Sequence, residues 1–526
     1  MSLRREDVVA RIRTTPNFDV IVIGGGANGA GIALDAASRG LSVALFERGA
    51  FGSGTSSRSS KIIHGGVRYL ALGHWGLVRE SLRERATLLA NAPAIVRPLR
   101  FVLPCYSRFE RLKYRCGLAL YDWFAGDGLR TPSRTLDGAS IAALTPGLSR
   151  QGLRGAVCYE DAAFDDARLL LCVLAQARAA GAATLNHAEV IALDTHSGGA
   201  IRGVVVKDQV GGQQWPVAGR VVINACGPYG DGIRHLESDR RENLMAPSQG
   251  AHVVVPGRFL GGDAALVFPQ TPDGRIMFAI PWHGRVLLGT TETPREDVPA
   301  QPLAFDHEID QILDVAGRFL DPAPRRADVT SVFAGLRPLV DTTGDAPSAK
   351  RSREHLIDVS AAGLVSVSGG KWTTYRLIAE QTVDLAINSG GLSAPPSRTG
   401  ALPLATAPGD SPYAAYGADS TAVAALASET PALASPLHPD LPYSGADYVW
   451  AARAELACHV TDALTSHTRA LFLDAAAASA IVPRVAELMA AELGRDADWV
   501  AREVAVAEAL ARDFSLTPIP IRDKPG

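Results

Sequence analysis

The feature that most constrains the fold of this chain is a glycine pattern, Gly24-x-Gly26-x-x-Gly29, set between a strand and a helix. Residues 18–23 form a short apolar, β-branched run that is typical of a buried parallel strand. The residues after the glycines predict a helix, and residues 41–47 predict a second buried strand. A strand, a glycine turn, a helix and a strand in this order form a βαβ unit with the dinucleotide-binding fingerprint.

Each glycine of this pattern has a physical role. Gly24 permits the tight turn, Gly26 lets the backbone approach a pyrophosphate, and Gly29 lets the helix pack closely on the strand. The pyrophosphate is expected at the helix N-terminus, where free N–H groups and the helix dipole favour negative charge. Glu47 ends the second strand, where a carboxylate can accept hydrogen bonds from both ribose hydroxyls. We therefore predict that these residues bind a dinucleotide, against the alternative of a glycine-rich turn without a ligand.

Length and composition exclude several classes of protein. A chain of 526 residues favours more than one domain, and a net charge of -3 counts against a nucleic-acid partner. The 6 cysteines form no Cys-x-x-Cys pair, so we predict no disulfide scaffold, no redox motif and no metal site. The first residues lack the apolar core of a secretory signal, and the longest apolar run, 20–37, is interrupted by glycine and polar residues. We expect a cytoplasmic, globular protein.

The middle of the chain changes character. Residues 265–292 alternate apolar runs with turns and predict an antiparallel meander, and residues 201–207 and 215–225 predict another strand pair. The predicted fold class is α/β with α+β: a Rossmann-like dinucleotide-binding domain interleaved with an antiparallel-sheet substrate domain, plus a C-terminal all-α domain. The predicted boundaries are 18–97, 155–245 and 330–390 for the first domain, 98–154 and 246–329 for the second, 391–412 for a linker and 413–515 for a helical cap.

Two further segments bear on the cofactor and the substrate. No second glycine fingerprint is present, and residues 220–231, which include Gly227, resemble the second flavin motif of FAD enzymes. This combination favours FAD over NAD. Residues 54–70 form a serine-rich loop that ends in His-Gly-Gly and Arg68-Tyr69. The loop either is solvated or lies against the flavin with Arg68 and Tyr69 directed at a substrate anion, and the residues alone do not decide between these.

Several motifs together resemble one family. They are GTSSRSSKIIHGGVRYL at 54–70, QGAHVVVP at 249–256, PWHGRVLLGTTE at 281–292, AGLRPL at 334–339 and GGKWTTYR at 369–376. In this order they are similar to FAD-dependent glycerol-3-phosphate dehydrogenases, closely over 18–390 and more loosely in the helical C-terminal domain. Glu292 departs from the family, which usually has Asp there, so we keep it out of the predicted catalytic residues. Gly54 replaces the usual Ala without an expected effect.

The resemblance implies a flavoenzyme that oxidises sn-glycerol 3-phosphate to dihydroxyacetone phosphate by hydride transfer to FAD and passes the electrons to membrane quinone. It implies His252 and Arg337 as catalytic residues. It implies a substrate anion pocket lined by Arg68, Tyr69, Arg337 and Lys371. The predicted cofactor-binding residues are Gly24, Gly26, Gly29, Glu47, Ser56, Ser57, Ser60, Lys61, His64, Gly65, Gly66, Gly227, Gly370, Lys371 and Thr373.

These roles agree with elementary chemistry. Clustered cations bind and orient a phosphate ester, and Arg337 can stabilise a developing alkoxide. His252 has an intrinsic pKa suited to a general base. The residues alone favour a core histidine at this position, because a single His on an apolar strand is common. The same motifs leave open an oxidase that uses O₂, and an FAD amino-acid or hydroxy-acid oxidase.

The partners are the least determined part. Residues 107–124 (Ser107 to Phe124) mix cations with aromatic and aliphatic side chains, which suits either a membrane-surface helix or an ordinary amphipathic helix. The resemblance favours peripheral association with the inner face of the cell membrane, and a homodimer is a further possibility. His459 and His467 lie too far apart in sequence for one helical metal pair, and we expect both at the surface.

Overall fold

The computed structural model describes residues 3–71, 73–126, 131–238, 242–269, 276–341, 355–406 and 411–519. Its strands in chain order are β1 Phe18–Ile23, β2 Val43–Phe46, β3 Ile62–Ile63, β4 Val96–Cys105, β5 Arg134–Leu136, β6 Gly155–Phe164, β7 Ala183–Leu185, β8 Ala188–Thr195, β9 Ile201–Asp208, β10 Gln214–Asn224, β11 Ser248–Pro256, β12 Ala265–Phe268, β13 Met277–Trp282, β14 Arg285–Gly289, β15 Thr293–Pro294, β16 Ser331–Arg337, β17 His355–Val359 and β18 Leu364–Gly369.

The helices follow in the same way. They are α1 Arg5–Thr14, α2 Ala27–Ser38, α3 Val67–Ala71, α4 Trp75–Asn91, α5 Arg108–Ala125, α6 Gly138–Leu144, α7 Asp166–Ala179, α8 Gly230–Glu237, α9 Asp306–Phe319, α10 Tyr375–Ser389, α11 Ser420–Glu429, α12 Gly445–Ala454, α13 Val460–Asp462, α14 Ala470–Leu473, α15 Ala475–Leu493 and α16 Ala497–Asp513. Within the described ranges, no helix is both long enough and apolar enough to cross a membrane.

The first sheet has the strand order β17-β18-β10-β1-β2-β7, and β8 and β9 extend it from β10. Strands β18, β10, β1, β2 and β7 run parallel. Alternate residues of β1 face opposite sides of the sheet, and both sides are covered. Val20 and Val22 pack in a core with α2, α7 and α10, whereas Ile21 and Ile23 pack in a core with α1 and β8. This explains why the sequence of β1 is apolar throughout.

The second sheet has the order β15-β11-β14-β13-β12-β4-β6-β3, with β16 on β11 and β5 on β6. The meander predicted at 265–292 is present as the antiparallel strands β12, β13 and β14. One face of this sheet packs on α9, and the other packs on α4, α5 and the C-terminal helices. The combination of a parallel sheet, an antiparallel sheet and a helical C-terminal domain confirms the predicted fold class.

The pairing of β6 and β16 corrects the predicted domain boundaries. The predicted dinucleotide-binding domain includes 155–164 and 331–337, but both strands belong to the second sheet. β6 pairs with β4 over its full length, and β16 pairs with β11. An apolar strand alone does not show which sheet it joins, because that choice depends on partners far away in the chain.

The segment predicted as a linker is packed against the protein. Leu392, Leu404 and Ala405 are buried in the core that contains α2 and α10. The Leu404 N–H donates to the Asn91 carbonyl at 2.8 Å, so this stretch is held to α4. Residues 407–410 lie outside the described part of the chain.

The prediction for His467 was also wrong, since His467 is buried inside the cap, while His459 is partly exposed.

Candidate active site

The glycine turn after β1 leaves no room for side chains. A Cβ on Gly29 would lie 1.8 Å from the Gly24 carbonyl oxygen, and one on Gly24, with φ +107, would lie 2.7 Å from the Ala225 carbonyl oxygen. Gly26 is the N-cap residue of α2, and as a glycine it has no side chain that could cap the helix. The N-terminus of α2 therefore faces a backbone cradle of the kind that accommodates a pyrophosphate.

Glu47 and Ser56 border this cradle. The Gly25 N–H donates to Glu47 Oε2 at 2.7 Å, and the Ala27 N–H donates to Ser56 Oγ at 2.9 Å. The indole Nε1–H of Trp372 donates to the Ser56 carbonyl at 2.7 Å. The serine loop and the GGKWTTYR segment thus meet at the start of α2.

The His-Gly-Gly segment is joined to the turn before α10. Thr373 Oγ1 donates to the His64 carbonyl at 3.2 Å and accepts from the His64 N–H at 3.3 Å. Gly66 has φ +79, and a Cβ there would lie 2.6 Å from the ring of Tyr69. Gly370 and Gly227 also have positive φ, +86 and +56. The backbone at these three positions therefore favours glycine.

Two predicted cofactor-binding residues lie in the interior instead of facing the cradle. The buried Lys61 Nζ donates to the Ser57 carbonyl at 2.8 Å and to Asp166 Oδ2 at 2.6 Å. The Arg469 guanidinium donates to the same Ser57 carbonyl at 2.6 Å. Burial lowers the pKa of Lys61 to about 8, although Asp166 opposes this shift. Ser57 and Lys61 therefore anchor the serine loop to α7 and to the cap.

His252 lies on β11 with 3% of its surface exposed. Its Nε2 and Ser60 Oγ are 2.9 Å apart, and its ring stacks on Phe333 with the centroids 4.8 Å apart. Burial, and then the positive charges of Lys61 and Arg337, lower the pKa of His252 well below 6.5. Its Nδ1 is buried and has no hydrogen-bond partner among the residues described. His252 is thus a neutral imidazole at pH 7, with an unsatisfied polar atom that a ligand group could engage.

Arg337 ends β16 next to the strand of His252. Its Nη1 donates to the Gln249 carbonyl at 3.2 Å, and its Nη2 donates to Thr290 Oγ1 at 3.1 Å and to the Thr291 carbonyl at 2.8 Å. These bonds fix the plane of the guanidinium. Thr290, which accepts from Arg337, directly follows Gly289, the partner of His252 in the pairing of β11 with β14. The structure therefore brings the two predicted catalytic residues into one cluster.

Sequence reasoning missed the carboxylate that supports this cluster. Glu308 on α9 is fully buried, and it accepts from Gln249 Nε2 at 2.7 Å, from Thr291 Oγ1 at 2.9 Å and from Thr293 Oγ1 at 2.6 Å. Glu308 thus ties β11, the strand of His252, to the segment of Thr291, whose carbonyl accepts from Arg337. Glu308 occupies the third position of α9, where an acid is expected for helix capping, so its sequence pattern does not distinguish this second role.

Lys371 and Tyr69 form a second predicted group. Lys371 Nζ donates to Ser81 Oγ at 2.6 Å and lies 5.4 Å from the centre of the Tyr69 ring. The structure therefore joins these two predicted substrate-binding residues. The side chain of Arg68 lies outside the described part of the chain. The substrate roles of all three residues stay predictions.

Comparison with known proteins identifies the family. A family model described as FAD dependent oxidoreductase matches residues 19–385, and one described as the C-terminal domain of alpha-glycerophosphate oxidase matches residues 365–499. The mitochondrial glycerol-3-phosphate dehydrogenases of Homo sapiens and Macaca fascicularis are each 38% identical over 533 residues, with 94% of this chain and 72% of the relative covered. The chain belongs to the FAD-dependent glycerol-3-phosphate dehydrogenase family.

Comparison with solved structures supports the prediction that the cofactor is FAD. The glycerol-3-phosphate dehydrogenase from Bacillus halodurans, complexed with FAD, is similar with a TM-score of 0.76 and 27% identity over 99% of both chains. The L-alpha-glycerophosphate oxidase from Mycoplasma pneumoniae, with FAD bound, shares the fold at a TM-score of 0.55 and 18% identity over 73% of this chain. The cradle at α2 fits this ligand. The predicted family and the predicted cofactor, FAD, are confirmed.

Proposed function

We propose that this protein oxidises sn-glycerol 3-phosphate to dihydroxyacetone phosphate, passes the C2 hydride to FAD and delivers the electrons to membrane quinone. The observation that carries the proposal is the buried cluster of neutral His252 and cationic Arg337, tied by the serine loop to the predicted FAD cradle. The names of the relatives, which are glycerol-3-phosphate dehydrogenases, support the same substrate.

The residues divide the chemistry between them. His252 accepts the proton of the C2 hydroxyl, since a buried imidazole that is neutral at pH 7 has a lone pair available. Arg337 stabilises the negative charge that develops on the C2 oxygen as this proton leaves. Lys371 and Tyr69 bind the phosphate, which carries about two negative charges near pH 7. Arg68 joins them in the predicted pocket.

The test is an anaerobic absorbance spectrum of the purified protein before and after addition of glycerol 3-phosphate. We expect the flavin band to bleach with glycerol 3-phosphate and to persist with glycerol, which lacks the phosphate. A band that persists with glycerol 3-phosphate but bleaches with an amino acid or a hydroxy acid would overturn the substrate and favour the alternative oxidases.

The electron acceptor is a separate part of the proposal. Turnover in air with and without a soluble quinone distinguishes a dehydrogenase from an oxidase, because only the oxidase yields one peroxide per substrate oxidised. We expect rapid quinone reduction and little peroxide. Stoichiometric peroxide without quinone would replace the quinone by O₂.

The exposed face of α5 supports association with a membrane surface. Phe109 and Trp123 are 76% and 69% exposed, and Leu112 lies between them on the same helix. Arg108 and Lys113 are exposed beside these apolar side chains. Cations next to exposed aromatic residues suit an anionic lipid surface. We therefore propose a cytoplasmic protein, peripheral on the inner face of the cell membrane.

Sedimentation with anionic liposomes at low salt tests this surface. We expect the wild-type protein to sediment with the vesicles and the double variant Phe109→Ser/Trp123→Ser to stay in solution. Val506→Ser, which removes an exposed apolar side chain from α16, is the matched control and should sediment like wild type. Wild-type protein that stays in solution contradicts the proposal. We also propose that the protein forms a homodimer, and light scattering during size-exclusion chromatography tests this.

A further inference from the structure

The inner face of α4 contacts Lys371 and, through Asp161, the His-Gly-Gly loop. Ser81 and Arg85 are four residues apart, so they lie on the same face of the helix, and both are buried. Ser81 Oγ donates to the Leu77 carbonyl at 2.7 Å and accepts from Lys371 Nζ at 2.6 Å. The donated bond fixes the hydroxyl hydrogen, so an oxygen lone pair faces the ammonium group of Lys371.

Arg85, one turn later, contacts a buried carboxylate that holds the His-Gly-Gly loop. The Asp161 carboxylate on β6 accepts from Arg85 Nη1, from the Tyr121 hydroxyl at 2.8 Å and from the Gly65 N–H at 3.3 Å. A Cβ on Gly65 would lie 2.3 Å from the Tyr121 hydroxyl oxygen, so the loop backbone packs directly on the phenol. Elements distant in sequence, α4, α5, β6 and the loop, thus meet at one carboxylate.

The side chains of Arg85, Tyr121 and Asp161 are buried, and the Asp161 carboxylate accepts three hydrogen bonds, while Arg85 Nε has no hydrogen-bond partner among the residues described. Buried polar groups of this kind fix one arrangement, because any displacement leaves a donor or the carboxylate unsatisfied. Gly65 comes just before α3, and Tyr69 lies on α3. The orientation of the Gly65 peptide therefore influences the position of α3 and of the Tyr69 ring beside Lys371. None of the proposed chemical steps uses Ser81, Tyr121 or Asp161.

We propose that Ser81 and Tyr121 are positioning residues of the substrate anion pocket: Ser81 holds the ammonium of Lys371, and Tyr121, through Asp161, holds the Gly65 loop that leads to Tyr69. The proposal rests on the proposed function, because it explains how the predicted phosphate-binding groups are kept in place. Binding groups displaced by even a fraction of an ångström lose much of their effect on substrate.

The test uses the full-length, FAD-loaded protein with Tyr121→Phe and Ser81→Ala, each of which removes only a hydroxyl. Flavin reduction is followed anaerobically by stopped flow over a range of glycerol 3-phosphate concentrations. We expect each variant to raise the half-saturating concentration by about tenfold, the effect of one lost hydrogen bond, while the limiting rate changes by less than about threefold. Ser81→Thr, which keeps a hydroxyl, should restore the wild-type value.

Tyr416→Phe is the matched control. Tyr416 is also a buried tyrosine that donates to a buried aspartate, Asp447, but it lies in the cap. The glycerol 3-phosphate concentration that half-saturates the Tyr416→Phe variant should equal that of wild type. The FAD content and thermal midpoint of Tyr121→Phe should fall no further than those of Tyr416→Phe. A larger fall in either quantity shows a purely structural role for Tyr121 and overturns its assignment, while Ser81→Ala tests the Lys371 contact independently.

The outcomes separate the two proposals. If glycerol 3-phosphate reduces the wild-type flavin and the variants saturate like wild type, the positioning role is overturned and the proposed function stands. If glycerol 3-phosphate does not reduce the wild-type flavin, both the proposed function and the positioning role are overturned.

Discussion

Replacement of His252 by Gln is the most direct perturbation of the proposed chemistry. A general base contributes about 10²–10⁴ in rate, or about 3–5 kcal/mol of transition-state stabilisation. Gln can keep the hydrogen bond that His252 makes with Ser60 Oγ at 2.9 Å. The folding cost is therefore small, about 1 kcal/mol for altered packing on Phe333. We expect a large loss of rate without loss of the bound flavin.

The assay is the limiting rate of anaerobic flavin reduction by glycerol 3-phosphate between pH 5 and 8. Because burial holds the pKa of His252 well below 6.5, the wild-type imidazole stays neutral at pH 6.5, and the acid limb of the rate should lie below that pH. His252→Gln should reduce the rate about 10²–10⁴-fold and abolish this limb. A variant that keeps the wild-type rate, or a wild-type limb centred at or above pH 6.5, would refute the assignment.

Three other perturbations have defined outcomes. Arg337→Ala should lower kcat/KM in steady-state assays by at least about a hundredfold. Arg337→Lys should recover only part of this loss, because a lysine cannot reproduce the planar set of donated bonds. A kcat/KM of Arg337→Ala equal to that of wild type would remove Arg337 from the site. Gly29→Ala should abolish flavin absorbance at purification, since its Cβ would lie 1.8 Å from a carbonyl oxygen, whereas Gly76→Ala on α4, with open space around it, should retain the flavin. Lys61→Met should lower the free energy of unfolding by about 3–5 kcal/mol, because the buried Asp166 carboxylate loses its cationic partner. In wild type the folded pKa of Lys61, about 8, lies below its unfolded value, so the Lys61 contribution to stability should rise between pH 8 and 10.5 in denaturant titrations and be absent in the variant.

The parts of the fold that local sequence determines were predictable. Strand β1, the glycine turn and α2 follow from neighbouring residues, because a missing Cβ and an apolar run act within a few positions of each other. The meander of β12, β13 and β14 is similarly local, since short loops join its strands. The cofactor FAD was also predictable, because the glycine fingerprint and the motif at Gly227 are local backbone turns that the sequence alone displays.

The sheet membership of β6 and β16 was not predictable, and neither was the packing of 391–406. Each is decided by contacts with residues far away in the chain, such as β4 for β6 and Asn91 for Leu404. Apolar composition predicts that a segment is buried but not which surface buries it. A proline-rich segment was therefore interpreted as a linker, although its few apolar side chains are enough to hold it on α4.

The same limit applies inside the site. A motif predicts which residues lie near the cofactor, but the position of a side chain also depends on what else is buried beside it. Lys61 belongs to the serine motif, yet its ammonium group pairs with Asp166, because a buried cation requires an anionic partner and α7 supplies one. Conversely, Ser81 and Glu308 belong to ordinary helices and carry no motif, yet Ser81 contacts Lys371 and Glu308 contacts the strand of His252. Residues that hold a site in place are selected by three-dimensional contacts, so they become visible only when the fold is known.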